Sequence, residues 1–238
     1  MNKKKTAGKT SWIIDNFAEV RKHLRFDNPG DIYVVHVMFR VKDLRNEEDR
    51  ACYLSHEETQ RLVKTYYVDS LEYYDKKKPA MIDLAENNHA RVYIAMTRKN
   101  RLTCNRVILK KLVDEVDNPN VRYDHLIRSS VCGCHISDYK WWTLDVDKDT
   151  EIEVNSWDGE KWSVDKKIKL VDIKDDVVSE MSKLVDETKT RSGSEIFTVP
   201  TKNGYHIMTP PFNRSKMAFL GDNLKSDAMT LLYFNCGD

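Results

Sequence analysis

Hydrophobic positions recur along this chain in two rhythms, and the switches between them mark out its elements. Over 11–24, "SWIIDNFAEVRKHL", Ile13, Phe17, Val20 and Leu24 fall at helical spacing behind Ser11, a residue type that caps helix starts, which predicts a first helix. After the turn "DNPGD", the run "IYVVHVMFRV" is rich in β-branched and aromatic residues and predicts a strand over 32–41. "SHEETQRLVKTYYVDSLEYY" reads as helix again, with Ser55 and Glu58 at capping-box spacing. From 90 onward the pattern is regular. It predicts a strand in "ARVYIAMTR", a helix in "CNRVILKKLVDEV" with Cys104, Ile108, Leu112 and Val116 on one stripe, a loop carrying "RSSVCGCH", and a strand in "KWWTLDVD". An irregular stretch to Leu170 holds the hairpin-like "SWDGEKW". An amphipathic helix follows, with Ile173, Val177, Met181, Leu184 and Thr188 on one face and Gly193 as its stop. Strands in "EIFTVPT", "YHIMTP" and "MTLLYFN" close the chain.

This order predicts an α/β fold, a mixed β-sheet with covering helices. Residues 1–89 form either a separate N-terminal lobe of helix and strand or part of the same domain as 90–238; the pattern leaves both open. With 238 residues and 40% hydrophobic content the chain is long and apolar enough for a true core. Its apolar runs fall well short of the ~20 residues that cross a bilayer. The basic start "MNKKKTAGKTS" has no apolar stretch behind it, so a cytoplasmic protein without a membrane partner is expected. Five scattered cysteines, an odd number, fit a reducing compartment better than a disulfide framework.

Charge narrows the chemistry. The 39 basic and 38 acidic residues nearly cancel, so phosphate binding has to be local. "NKKK" at 2–5, "KKK" at 76–78 and "RKNR" at 98–101 are candidates, though such runs are commonly solvated surface. "TLDVD" is sharper. In an extended chain Thr143, Asp145 and Asp147 share one face while Trp142, Leu144 and Val146 share the other, which sets two carboxylates side by side on a strand that buries its back. Such a pair repels unless a positive charge sits between them or the strand end lies in water. About 60 residues later, "TKNGYHI" combines the hairpin signal Asn203-Gly204, whose residues both tolerate positive φ, with His206 facing opposite to Ile207. Asp145, Asp147 and His206 are therefore expected to converge on one face of one sheet. Hard oxygen ligands there suit Mg²⁺ or Mn²⁺ completed by substrate phosphates, and Lys202 and backbone N–H groups suit the phosphates themselves.

These motifs resemble the catalytic core of the archaeo-eukaryotic primase and primase-polymerase superfamily, whose first motif is D-x-D or D-x-E among hydrophobics, whose second is small-x-His, and whose third is a hydrophobic followed by a carboxylate. They also resemble short phage-type proteins with the same "DVD" and "TKNGYH" blocks. The likeness covers about 90–238. It implies an RRM-like core, with Asp145 and Asp147 as metal ligands and His206 as a phosphate contact together with Lys202 and Gly204. The second motif often has Ser or Thr where this chain has Gly204. The third acid is Asp227 or Asp222, with Asp227 preferred. Implied with them are nucleotides and single-stranded nucleic acid as ligands, replication proteins acting in trans, and joining of nucleotides to a hydroxyl end with release of pyrophosphate. The same metal site would serve a nuclease or phosphodiesterase, and a decayed one would leave a nucleic-acid- or partner-binding module. Cys132, Cys134 and His135 offer a possible zinc site, although C-x-C-H is not a usual zinc spacing and Cys104 stands far off in sequence.

Overall fold

The structure, a computed structural model, describes residues 12–44, 59–134, 139–157, 162–188, 195–227 and 229–235, as backbone only at 154–157 and 162–166. Ser11, Ser55, Glu58, His135, Gly193 and the "NKKK" run lie outside them. Among the described residues no helix is long and apolar enough to cross a membrane.

The fold is α/β, built of antiparallel sheets and covering helices. The chain runs β1 (Ile13–Asp15), α1 (Phe17–Lys22), β2 (Asp31–Arg40), β3 (Gln60–Val68), α2 (Leu71–Asn87), β4 (Arg91–Asn100), α3 (Arg101–Asp114) and α4 (Tyr123–Cys132). It continues through β5 (Trp142–Asp147), β6 (Glu151–Trp157), β7 (Trp162–Lys169), α5 (Lys174–Thr188), β8 (Phe197–Pro200), β9 (Gly204–Thr209), β10 (Leu224–Ser226) and β11 (Met229–Asn235). One sheet has the order β1-β11-β4-β2-β3, a second β10-β5-β9-β8, and β6 and β7 form a separate hairpin. Every pairing is antiparallel, where the pattern predicts a mixed sheet. Strands from both sides of residue 90 share the first sheet, with β2 lying between β3 and β4.

β2 is nearly all apolar because both its faces are covered. Tyr33, Val35, Val37 and Phe39 pack with Phe17 and Val20 of α1 and Tyr74, Met81 and Ala85 of α2. Ile32 and Val34 pack on the other side with Cys104 of α3 and Val131 of α4. The second sheet has its own core: Leu144 and Val146 of β5 and Ile207 of β9 lie against Val177, Met181, Leu184 and Val185 of α5. A one-residue slip of β5 would expose Leu144 and Val146, at about 1.5–3 kcal/mol each, and bury two carboxylates in their place. Phe197, Val199 and Met208 of the second sheet pack into the core of the first, which joins the two sheets.

Three predicted helical or loop segments fold otherwise. Only Phe17–Lys22 of the first is helical; Ile13–Asp15 pairs with β11 instead. "QRLVKTYYV" is strand β3, because a partner edge on β2 lets its β-branched and aromatic residues outweigh the helical spacing. Ser70, whose side chain accepts from the Tyr73 N–H at 3.1 Å, caps the helix that follows. The "RSSVC" segment is the end of α4 rather than loop, and Ser129 and Ser130 donate to the Leu126 carbonyl. Val116 leaves the packed stripe of α3, since the helix ends at Asp114 and the side chain is 69% exposed.

Candidate active site

The alternation in "TLDVD" is realised on β5. Leu144 and Val146 are buried in the second core, while Thr143, Asp145 and Asp147 line a cleft of about 310 Å³ between the two sheets. β9 runs antiparallel beside β5 in a register that sets Asp145 opposite His206 and Asp147 opposite Gly204. Directly opposed residues share a face, so His206 joins the acids while Ile207 is buried with Leu144. Lys202 and Asn203 line the same cleft from the β8–β9 turn.

Gly204 is needed for a reason other than the one its hairpin signal suggests. Among the described residues, positive φ occurs at Gly30, His89, Gly221 and Asp227, and neither Asn203 nor Gly204 uses it. A Cβ on Gly204 would instead stand 1.9 Å from the Val146 carbonyl oxygen and 2.9 Å from Asp147 Cα. Only a residue without a side chain lets β9 come this close to the end of β5.

The repulsion expected between the acids is relieved within the protein. Lys225 of β10 donates to Asp145 Oδ2 at 3.2 Å, and His206 Nε2 stands 3.5 Å from Oδ1. The His206 contact, with Lys225 behind it, holds the Asp145 carboxyl down at about 2 despite partial burial. His206 is oriented through Nδ1, 3.0 Å from the Thr230 hydroxyl on β11.

The first sheet supplies the facing wall, which the sequence reading missed. Arg40 and Lys42, at the end of β2 and just beyond it, and Arg91 and Tyr93 of β4 line the cleft with Met38, Gln60, Met229 and Leu231. Arg40 and Arg91 both donate to the Tyr93 hydroxyl, at 3.0 and 3.1 Å. Behind them Asp43, its side chain 3% exposed, accepts from Arg91 Nε at 2.7 Å and from Lys202 Nζ at 3.0 Å. Burial opposes the Asp43 charge, but these hydrogen bonds outweigh it and hold its carboxyl below the usual range. Lys42 is lowered as well, by burial and by the repulsion of Arg40 and Arg91, which here disfavours its charged form. A pocket in which Arg40, Lys42, Arg91, Lys202 and Lys225 meet only Asp145 and Asp147 at its lining suits an anionic ligand. Alternation along "ARVYIAMTR" carries the missed signal: Arg91 and Tyr93 must face away from Val92 and Ile94, which are core.

The third acid does not join the cleft lining. Asp227 is the half-buried turn residue between β10 and β11, and Asp222 is exposed in the 3-10 helix Arg214–Asn223. Among the described residues no cluster of three or more His, Cys, Asp or Glu side chains stands ready to hold a metal. The donor set of Asp145 and Asp147 fits a hard cation that keeps waters and takes further oxygens from substrate phosphates, and does not fit a closed protein cage. Of the zinc candidates, Cys134 is buried beside Cys104, so the two are neighbours despite their distance in sequence. Cys132 Sγ stands 3.7 Å from His36 Nε2. Burial, with Cys134 alongside, pushes the Cys104 thiol up to about 12, and burial raises Cys132 as well; both shifts oppose the thiolates that zinc needs. Within the two described basic runs Lys78 pairs with Asp15, Arg98 with Asp27 and Asp31, and Arg101 with Asp69.

Comparison of the chain with models of known families, with curated proteins and with solved structures finds no match.

Proposed function

We propose that the cleft is the site of a metal-dependent nucleotidyltransferase of primase-polymerase type, joining nucleotides to a hydroxyl end with release of pyrophosphate. The second sheet, four antiparallel strands backed by α5, is then the RRM-like core of that family. One observation carries the reading: the register that seats Asp145 against His206, with Asp147 two residues along the same face, in a cleft whose other wall is basic. Asp145 and Asp147 would hold Mg²⁺ or Mn²⁺, which when bound supplies Lewis-acid stabilisation of phosphate charge. Arg40, Lys42 and Lys202 take the phosphate oxygens of a nucleoside triphosphate, and Asp43 keeps Arg91 and Lys202 aimed at them. His206, fixed by Thr230, contacts a phosphate, and Lys225 keeps Asp145 ionised. Single-stranded nucleic acid is the second ligand, and replication proteins in trans supply what a chain of this size lacks.

A second reading is favoured by the balance of charge at Asp145, which Lys225 offsets and His206 contacts without a metal. In that reading the cleft binds a nucleotide or nucleic acid and performs no chemistry. Incubation with a primed single strand, labelled ribo- or deoxyribonucleotides and Mg²⁺ or Mn²⁺ separates the two. Incorporation that disappears in Asp145→Ala and Asp147→Ala supports transfer; shortened strands would make water the nucleophile and the protein a nuclease. Nucleotide binding with no product under either metal would establish the binding module.

A further inference from the structure

α3 is apolar on two faces, and only one of them is packed. Its inner face buries Cys104 and half-buries Ile108 against β2 and α4. On the outer face Leu102 is 64% exposed, Leu109 63% and Val113 70%, with Val116 at 69% in the turn that continues the helix. The separations of seven, four and three residues place all four on one stripe. A solvated helix has no use for a second apolar stripe, and a contiguous one marks an interaction surface.

Charge along the same helix selects the partner. Arg101, Arg106, Lys110 and Lys111 occupy its first three turns, and Asp114, Glu115 and Asp117 occupy its end. Such a surface is complementary to itself turned end for end. We propose that this face of α3 pairs with the same face of a second copy of the chain, antiparallel about a two-fold axis near Leu112. Leu109 and Val113 of the two copies meet across the axis, and Arg106 of each copy stands beside Asp117 of the other: the two lie eleven residues, about three turns, apart on the same side of the stripe, the reciprocal pattern that an isologous interface requires. The antiparallel arrangement also opposes the two helix dipoles, whereas a parallel one would set basic halves against each other. The stripe is built from residues outside the cleft, so the pairing stands whatever the cleft does.

Sedimentation equilibrium on the full chain tests the proposal. The wild type is expected at twice 27.9 kDa at micromolar concentration, and Leu109→Lys or Val113→Lys, both at exposed positions, as a folded monomer. Arg106→Glu and Asp117→Arg should each raise the dissociation constant about tenfold, because each replaces two attractions by two repulsions across the axis. The double variant should return it to the wild-type value. A wild type that stays monomeric at every concentration, a dimer indifferent to both lysine variants, or a double reversal weaker than either single one would overturn it.

Discussion

The two walls of the cleft carry opposite charge and reach it by different constructions. The acid wall is local: Asp145 and Asp147 stand two residues apart on one strand, and their partner His206 is seated by a single register. The basic wall is assembled from distant pieces, Arg40 and Lys42 around the end of β2, Arg91 on β4 and Lys202 on the β8–β9 turn, tied together through the buried Asp43. An acid pair can be set by alternation alone. A cluster of like charges needs a counter-charge buried behind it, or its repulsion would splay the strands that carry it.

The largest expected effect comes from attacking the acid wall from behind. Leu144 is fully buried beneath Asp145, so Leu144→Asp places an unpaired charge in the second core and should cost several kcal/mol, read as a lowered midpoint in denaturant. A normal midpoint would mean that β5 does not face as described. On the basic wall, Asp43→Ala leaves Arg91 without its bidentate partner and should cost about 3 kcal/mol, the low end for a broken buried pair because Lys202 is partly solvated. If chemical denaturation finds the variant as stable as wild type, the tie between the pieces is unimportant.

A third variant moves the walls relative to each other. Gly204→Ala forces β9 away from the Val146 carbonyl and should destabilise by about 1–3 kcal/mol, with backbone amide shifts at Asp147 in an NMR spectrum; unchanged shifts there would place the strand elsewhere. The last effect appears only in acid. Burial holds His36 down to about 4 against an ordinary value near 6.5. Between those values the unfolded chain takes up a proton that the folded one refuses. Stability should therefore fall by about 3 kcal/mol as pH drops from about 6.5 to about 4. His36→Gln removes this slope, and a variant that keeps it would assign the acid sensitivity to other groups. Asp145, held near 2, loses its ion-pair contribution only below its unfolded value, at more acid pH still.

The acid wall is legible in the sequence because strand alternation is a short-range rule, and Leu144, Val146 and Ile207 announce which face is core. The need for glycine at 204 is legible, but its cause is not, since the clash it avoids lies on another strand. Arg40, Lys42, Arg91 and Asp43 escape because nothing in their neighbourhood says that β2 and β4 lie across from β5; that follows from sheet order, a long-range property. β3 is hidden for the same reason, its helical spacing overruled by an edge supplied by β2. Asp227 lies two residues from both Lys225 and Met229, which line the cleft, and belongs to the turn between their strands, a placement set by the pairing of β10 and β11 with different sheets rather than by the residues around it.

The central claim is that the two walls grip one ligand together, phosphates on the basic side and the metal on the acid side. Calorimetric titration with a non-hydrolysable nucleoside triphosphate, with and without Mg²⁺, tests it most directly. The wild type should bind without metal and more tightly with it, Arg40→Ala should weaken binding in both conditions, and Asp147→Ala should abolish only the gain from Mg²⁺. Binding that is indifferent to Arg40→Ala, or a Mg²⁺ effect that survives the loss of Asp147, would contradict the account.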